Sequence, residues 1–185
     1  MRIDVYERVF LALSVVMLLV FAVFLVMAVN GHGIVLPGPA GRVDPTTLVT
    51  TPPFDNPGVE RVGDTYIATM VARMYQYQPN PVVVPAGVPV TFQVASPDVI
   101  HGFRVESTNI NAMVLPGEVT AVTATFDEPG EYKIMCHEYC GTGHQTMSGK
   151  IVAVPEAEWE QASAQARSTA PAAGPAPPNP GGGTP

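Results

Sequence analysis

Residues 130–154 read GEYKIMCHEYCGTGHQTMSGKIVAV, a stretch in which two strand-like runs enclose a loop rich in metal-ligating side chains. The runs GEYKIMC and GKIVAV contain the β-branched and aromatic residues that strands favour. Between them lie both cysteines of the chain, Cys136 and Cys140, followed by His144 and Met147. We expect a compact, glycine-containing loop to point these four side chains toward one place.

The same strand-like pattern extends upstream from about Asp64. Gly, Pro, Asn and Asp interrupt short apolar runs about every ten residues, a spacing typical of antiparallel β-sandwiches and barrels. The runs are DTYIATMVARMY, VVVPAGVPVTFQVAS, VIHGFRVES, AMVLPGEVTAVTATF, GEYKIMC and GKIVAV. The sequence therefore predicts an all-β domain over residues 64–155.

An apolar segment near the N-terminus predicts a membrane anchor. Val9 to Val29 contains neither a charge nor a proline, and its length matches the ~30 Å hydrocarbon core of a bilayer. A cleaved signal peptide is the alternative, although its apolar region is usually only about 7–15 residues long. We therefore expect a single transmembrane helix within residues 1–30. Arg2 and Arg8 precede the segment, which favours a cytoplasmic N-terminus and an external domain.

The remaining segments are expected to be appendages of the β domain. Prolines recur through residues 31–63 and predict a linker, because they exclude a continuous helix. Residues 156–170 follow a proline and begin with acidic residues, which favours a short helix. The Pro/Gly-rich composition of residues 171–185 predicts a disordered tail. The formal net charge of −7 makes nucleic acid an unsuitable partner.

Thiolate, imidazole and thioether ligands favour copper, and to a lesser extent zinc, over hard cations. His101 is the candidate ligand from outside the loop, because it opens a predicted strand that can neighbour Cys136 in a sandwich. Several interpretations compete on the residues alone: a disulfide, a structural zinc site with two Cys and two His, a one-copper centre, and two copper ions bridged by both sulfurs.

The segment CHEYCGTGHQTM resembles the C-x-E-x-C-G-x-x-H-x-x-M signature of the dinuclear copper A centre in cytochrome c oxidase subunit II. The resemblance covers roughly residues 5–154, and the single span is similar to the B-type branch of haem–copper oxidases. It implies a cupredoxin-like Greek-key sandwich or barrel. It also implies six copper ligands: the bridging thiolates of Cys136 and Cys140, the imidazoles of His101 and His144, the thioether of Met147 and the carbonyl of Glu138.

The resemblance further implies partners and roles for other residues. The subunit would take single electrons from a cytochrome c and pass them to a haem in subunit I, where oxygen reduction is coupled to proton pumping. The Glu138 side chain would bind Mg²⁺ at the contact with subunit I. Tyr75 and Tyr77 lie in the segment where electrons would enter, and Glu7 corresponds to a carboxylate at a proton-uptake entrance. The alternative is a membrane-anchored copper-handling protein that passes no electrons to an oxidase.

Overall fold

The computed structural model describes residues 4–31 and 37–169. Helix α1 (Val5–Gly31) spans 27 residues, or about 40 Å of helix. Its length and apolar composition are sufficient to cross a membrane, and it is the one such helix in the described residues. Helix α1 and the β domain form two separate compact units. The predicted N-terminal helix is therefore present.

Within residues 37–169, the β domain contains eleven strands and a closing helix. They are β1 (Gly38–Arg42), β2 (Gly58–Val62), β3 (Thr65–Arg73), β4 (Gln76–Gln78), β5 (Val82–Pro85), β6 (Pro89–Ala95), β7 (His101–Val105), β8 (Asn111–Val114), β9 (Glu118–Thr125), β10 (Gly130–Met135), β11 (Ser148–Val154) and α2 (Trp159–Thr169). Each strand-like run of the sequence has at least one strand within it.

The strands form two sheets packed as a sandwich. One sheet has the order β1-β9-β6-β3-β2, with β4 paired to β3, and the other has the order β5-β11-β10-β7-β8. The predicted all-β sandwich is confirmed, but the sheets are mixed rather than purely antiparallel. The pairs β3–β6 and β5–β11 run parallel, because crossover connections place strands that are distant along the chain side by side.

Aromatic side chains from both sheets fill the space between them. Phe92 of β6 and Phe103 of β7 are fully buried, and their ring centroids lie 5.7 Å apart. Phe126, which follows β9, packs edge-on against Phe92 at 6.0 Å. These contacts join the two sheets through a single core, which fixes β7 relative to the other sheet.

The predicted linker at residues 31–63 requires a correction. Strand β1 pairs with β9, and β2 pairs with β3 from Gly58↔Thr69 to Val62↔Thr65. Leu48 and Phe54 between them are buried in a small apolar cluster. Prolines exclude a helix and so indicated a linker, but an edge strand tolerates a proline, as β1 does at Pro39.

The short C-terminal helix is present as a 3₁₀ turn at Glu156–Glu158 followed by α2. Trp159, the first residue of α2, packs edge-on against Tyr66 of β3 with ring centroids 4.9 Å apart. Its indole nitrogen donates a hydrogen bond to the Val83 carbonyl. These contacts fasten α2 to the sandwich. The predicted tail at 171–185 lies outside the described residues.

Candidate metal centre

The fold brings the ligand-rich loop and His101 to the same end of one sheet. Strand β10 ends at Met135 and β11 begins at Ser148, and these two residues are paired across the strands. The loop between them is closed by a hydrogen bond from the Cys136 amide to the Met147 carbonyl. Strand β7, which begins at His101, is the other neighbour of β10. All the segments that carry candidate ligands therefore meet at the end of β10.

The two cysteines form the centre of the cluster. Their Sγ atoms lie 3.8 Å apart, both thiols are free, and both side chains are buried. The Met147 Sδ atom lies 3.6 Å from the Cys140 Sγ and is also buried. Three soft sulfur donors therefore converge in a region shielded from water.

Each thiol has its own imidazole. The His101 Nδ1 lies 4.0 Å from the Cys136 Sγ, and the His144 Nδ1 lies 3.6 Å from the Cys140 Sγ. The carbonyl of Glu138 lies 3.2 Å from the Cys136 Sγ, in a position that mirrors Met147 beside Cys140. The arrangement has an approximate pairwise symmetry, with one thiol, one imidazole and one weaker donor on each side.

Asp98 is part of this site and was missed by the sequence analysis. Its Oδ1 lies 2.8 Å from the Nε2 of His101, leaving Nδ1 directed at Cys136. Its carboxylate also accepts hydrogen bonds from the amides of Met74 and Val99. Burial opposes ionisation of Asp98, but these hydrogen bonds outweigh it and lower the pKa of the carboxyl. The available signal was an acidic residue three positions before a candidate ligand, the usual outer partner of a metal-bound histidine.

The Cys140 thiol is costly to ionise without a metal. Burial and the neighbouring Cys136 raise the pKa of Cys140 to about 12. A bound cation reverses this balance, because thiolate coordination to a metal removes the proton. The cluster is therefore chemically suited to a metal.

Tyr75 and Tyr77 occupy different environments around the loop. Tyr75 is half-buried, and its ring covers Gly141 and Gly143, where a Cβ atom would lie 2.6 Å from the ring or its hydroxyl. Tyr77 is only 1% exposed, and its hydroxyl donates a hydrogen bond to the Gly102 carbonyl. Burial, and then the neighbouring Cys136, raise the pKa of Tyr77 above its usual range. Tyr75 is thus the one of the pair that reaches the surface.

The residues between the two cysteines lie at the edge of the site. The side chains of His137 and Glu138 are 30% and 35% exposed, with 3.7 Å between the His137 Nε2 and the Glu138 Oε1. Tyr139 is largely exposed, and its ring centroid lies 5.8 Å from that of His144. Glu7 lies in the first turn of α1, within the separate helical unit.

Comparison of the sequence with known proteins identifies its family. The sequence model for "Cytochrome C oxidase subunit II, periplasmic domain" matches residues 62–154. Cytochrome c oxidase subunit 2 of Thermus thermophilus is 47% identical over 152 residues, which cover 80% of this chain and 90% of that relative. The chain belongs to the cytochrome c oxidase subunit II family.

Two solved structures have a similar fold. A cryo-EM structure of a haem–copper terminal oxidase dimer matches with a TM-score of 0.65 at 33% identity, covering 80% of this chain and 99% of that one. The periplasmic domain of subunit II from Bradyrhizobium japonicum matches with a TM-score of 0.52 at 20% identity, covering 61% and 99% of the two chains. The second likeness supports the cupredoxin-like fold.

Membership of the subunit II family defines the general role of the chain. It is a subunit of a haem–copper cytochrome c oxidase, an oxidoreductase complex, so other oxidase subunits are its partners. Its His101, Cys136 and Cys140 ligand atoms lie within 4.8 Å of one another and form a group compatible with copper binding. The apolar N-terminal helix and the periplasmic family of the β domain indicate a membrane-anchored protein with its domain outside.

Proposed function

We propose that the β domain holds a dinuclear copper centre that accepts single electrons from a cytochrome c and passes them to a haem in subunit I. Oxygen reduction there is coupled to proton pumping. The observation that carries this proposal is the paired arrangement at the site: two thiols 3.8 Å apart, each with its own imidazole. The two central thiols would both hold the metal pair.

The donor set favours two copper ions over one structural zinc. A structural zinc site takes four ligands in a tetrahedron. The cluster offers six donors, because the Met147 thioether and the Glu138 carbonyl add to the two thiols and two imidazoles. Thioether and thiolate sulfurs are ligands that copper prefers. Met147 and the Glu138 carbonyl would be the weaker ligands, one beside each thiol.

The two copper ions, when bound, would supply a one-electron redox centre. The chain's own residues keep that centre rigid and dry. Strands β7, β10 and β11 fix the ends of the ligand-bearing segments, so the donors change position little when charge changes. Asp98 fixes the tautomer of His101, since it accepts from Nε2 and leaves Nδ1 for the metal. Burial of Cys136 and Cys140 excludes water from the sulfurs.

Glu138 serves a second role in this proposal. Its carbonyl faces Cys136, while its partly exposed carboxylate is free of that contact and lies near the surface. Carboxylate oxygens are ligands that Mg²⁺ accepts together with several waters. We assign the Glu138 side chain to a magnesium ion at the contact with subunit I.

The remaining assignments concern how the subunit meets its surroundings. Helix α1 crosses the lipid bilayer with the N-terminus in the cytoplasm, as Arg2 and Arg8 favour. Electrons from the cytochrome enter near Tyr75, whose half-buried ring covers the ligand loop. Glu7, at the cytoplasmic end of α1, lies at the entrance for proton uptake.

Copper content and rapid electron transfer test the proposal. The full chain, purified in detergent and loaded with copper, should contain two copper ions and show intense visible absorption. Mixing with reduced cytochrome c should bleach this absorption in a stopped-flow experiment, with one electron taken up per centre. A single colourless Cu(I) that does not react with the cytochrome would instead support a copper-handling protein.

A further inference from the structure

A buried tyrosine is connected to the metal centre through one residue of the backbone. The Tyr77 hydroxyl donates to the Gly102 carbonyl, and the Gly102 amide donates to the Cys136 Sγ at 3.4 Å. The two peptide groups on either side of the Gly102 Cα are therefore held between a phenol and a candidate ligand. Gly102 also follows His101 directly, so its position affects two of the ligands.

The strand pairing explains why the Gly102 backbone is available for these bonds. The register of β10 with β7 runs from Ile134↔Val105 to Met135↔Arg104, where β10 ends. Beyond that point the chain turns into the ligand loop. The backbone groups of Gly102, which would otherwise continue the ladder, bond Tyr77 and Cys136 instead.

Gly102 is confined on its other side by His137. A Cβ atom at residue 102 would overlap the ring and the backbone nitrogen of His137. A glycine is therefore required for the loop to approach β7 closely enough for the bond to Cys136. The contact leaves Gly102 little freedom to move toward His137, and the Tyr77 hydroxyl restrains its carbonyl.

The position of Tyr77 is itself fixed by the fold. Its backbone pairs with Ala72 across β3 and β4, and its ring packs edge-on against Phe103 at 6.1 Å. The ring also lies against Gly149, where a Cβ would be 3.1 Å away. A side chain that is 1% exposed and held from three directions can act as a rigid support.

We propose that Tyr77 is a positioning residue of the copper centre, which holds Gly102 so that its amide donates to the Cys136 sulfur. This inference rests on the proposed dinuclear centre. A hydrogen bond to a thiolate stabilises its negative charge. Because reduction adds an electron to the centre, the bond is stronger in the reduced state and raises the reduction potential. Loss of the support should lower that potential.

The first test compares two conservative variants of buried tyrosines. Tyr77→Phe removes the hydroxyl but keeps the ring. Tyr66→Phe is the matched control, because Tyr66 is equally buried but donates to Glu156 and packs on Trp159. The reduction potential of each variant is measured by a redox titration of the copper-loaded full chain, followed through its visible absorption. We expect Tyr77→Phe to shift the redox equilibrium with a fixed electron donor three- to tenfold toward oxidised copper. A tenfold shift corresponds to a reduction potential lower by about 59 mV. Tyr66→Phe should leave the equilibrium unchanged. Equal potentials in the two variants would overturn the proposal.

A second measurement needs no copper and separates this inference from the proposed function. In the metal-free full chain with ¹⁵N-labelled glycine, the exchange rate of the Gly102 amide reports how firmly its position is held. We expect exchange to be several-fold faster in Tyr77→Phe than in the wild type or Tyr66→Phe. If the wild type lacks a dinuclear copper signal, the proposed function fails, whereas unchanged Gly102 exchange in Tyr77→Phe refutes the positioning role of Tyr77.

Discussion

The two ends of the β-sandwich are built on different principles. Strand β3 connects them over about 30 Å, with Tyr66 near its start and Met74 directly after its end. At the Tyr66 end, Trp159 of α2 packs on the ring and closes the sandwich with apolar surface. At the Met74 end, sulfurs and imidazoles are gathered in one buried cluster, and Asp98 anchors both the Met74 amide and His101.

The two ends therefore contribute differently to the stability of the fold. Packing of Trp159 on Tyr66 is favourable without any ligand. The thiol cluster adds little without a metal, because burial and Cys136 raise the pKa of Cys140 to about 12 and leave it a neutral thiol until a metal displaces the proton. The end at Tyr66 and Trp159 (the helix end) should therefore control the stability of the fold. The end at Cys136 and Cys140 (the metal end) should control copper binding. The two ends should respond separately to mutation.

Cys140→Ser should have the largest effect on copper binding and turnover. This effect should be confined to the metal end. It removes a thiolate 3.8 Å from Cys136, so the dinuclear centre and turnover with cytochrome c should be lost. The loss should exceed the roughly 10- to 100-fold effect of removing an outer partner of a ligand. Copper analysis and oxygen consumption by the assembled oxidase measure it. The midpoint of chemical unfolding of the metal-free chain should stay within the range of the wild type, and a large fall would contradict the separation of the ends.

Trp159→Ala should have the largest effect at the helix end. Removing a 6% exposed indole that donates to the Val83 carbonyl should lower the unfolding free energy by about 3–5 kcal/mol. Denaturant unfolding of the full chain measures the change, with Trp159→Phe as a milder control that keeps a ring against Tyr66. The visible spectrum of the copper-loaded protein should not change under native conditions. A shifted spectrum would show that the two ends are coupled.

Asp98→Asn should weaken copper binding by roughly 10- to 100-fold without unfolding the domain. The asparagine side chain has nearly the same shape as that of Asp98. It lacks the negative charge that strengthens the hydrogen bond donated by the His101 Nε2. Competition with a chelator of known affinity measures the effect. Asp127→Asn is the control, because Asp127 is exposed and follows β9. Equal affinities for the two variants would exclude Asp98 as a partner of a metal ligand.

Tyr66→Phe should have the smallest effect, a loss of about 1 kcal/mol of unfolding free energy at neutral pH. Burial and the hydrogen bond with Glu156 raise the pKa of Tyr66. The protonated phenol therefore stabilises the fold fully below its unfolded pKa of about 10, and this contribution is lost as the pH rises through the folded value. Unfolding curves between about pH 7 and 11 should converge for the wild type and the variant. Parallel curves would contradict this role of Tyr66.

The sequence predicted the metal end better than the edges of the sandwich. Cys136, Cys140, His144 and Met147 are close together in the chain, so their convergence follows from a short loop between two strands. His101 could be included because it opens a predicted strand, and the fold places that strand beside β10.

Most of the features that the sequence did not predict depend on contacts that leave no local pattern. The edge strands β1 and β2 lie in a proline-rich segment and exist because β9 and β3 offer free edges for pairing. The link from Tyr77 to Cys136 passes through the backbone of Gly102, so no side-chain spacing indicates it. Asp98 had a signal in its spacing from His101, but only the structure shows the hydrogen bond.

The electron paramagnetic resonance spectrum of the copper-loaded full chain tests the central claim most directly. The claim is that Cys136 and Cys140 hold two copper ions that share one electron vacancy. Equal sharing between two copper nuclei predicts seven hyperfine lines. Four lines, the pattern of a single copper nucleus, would contradict the account.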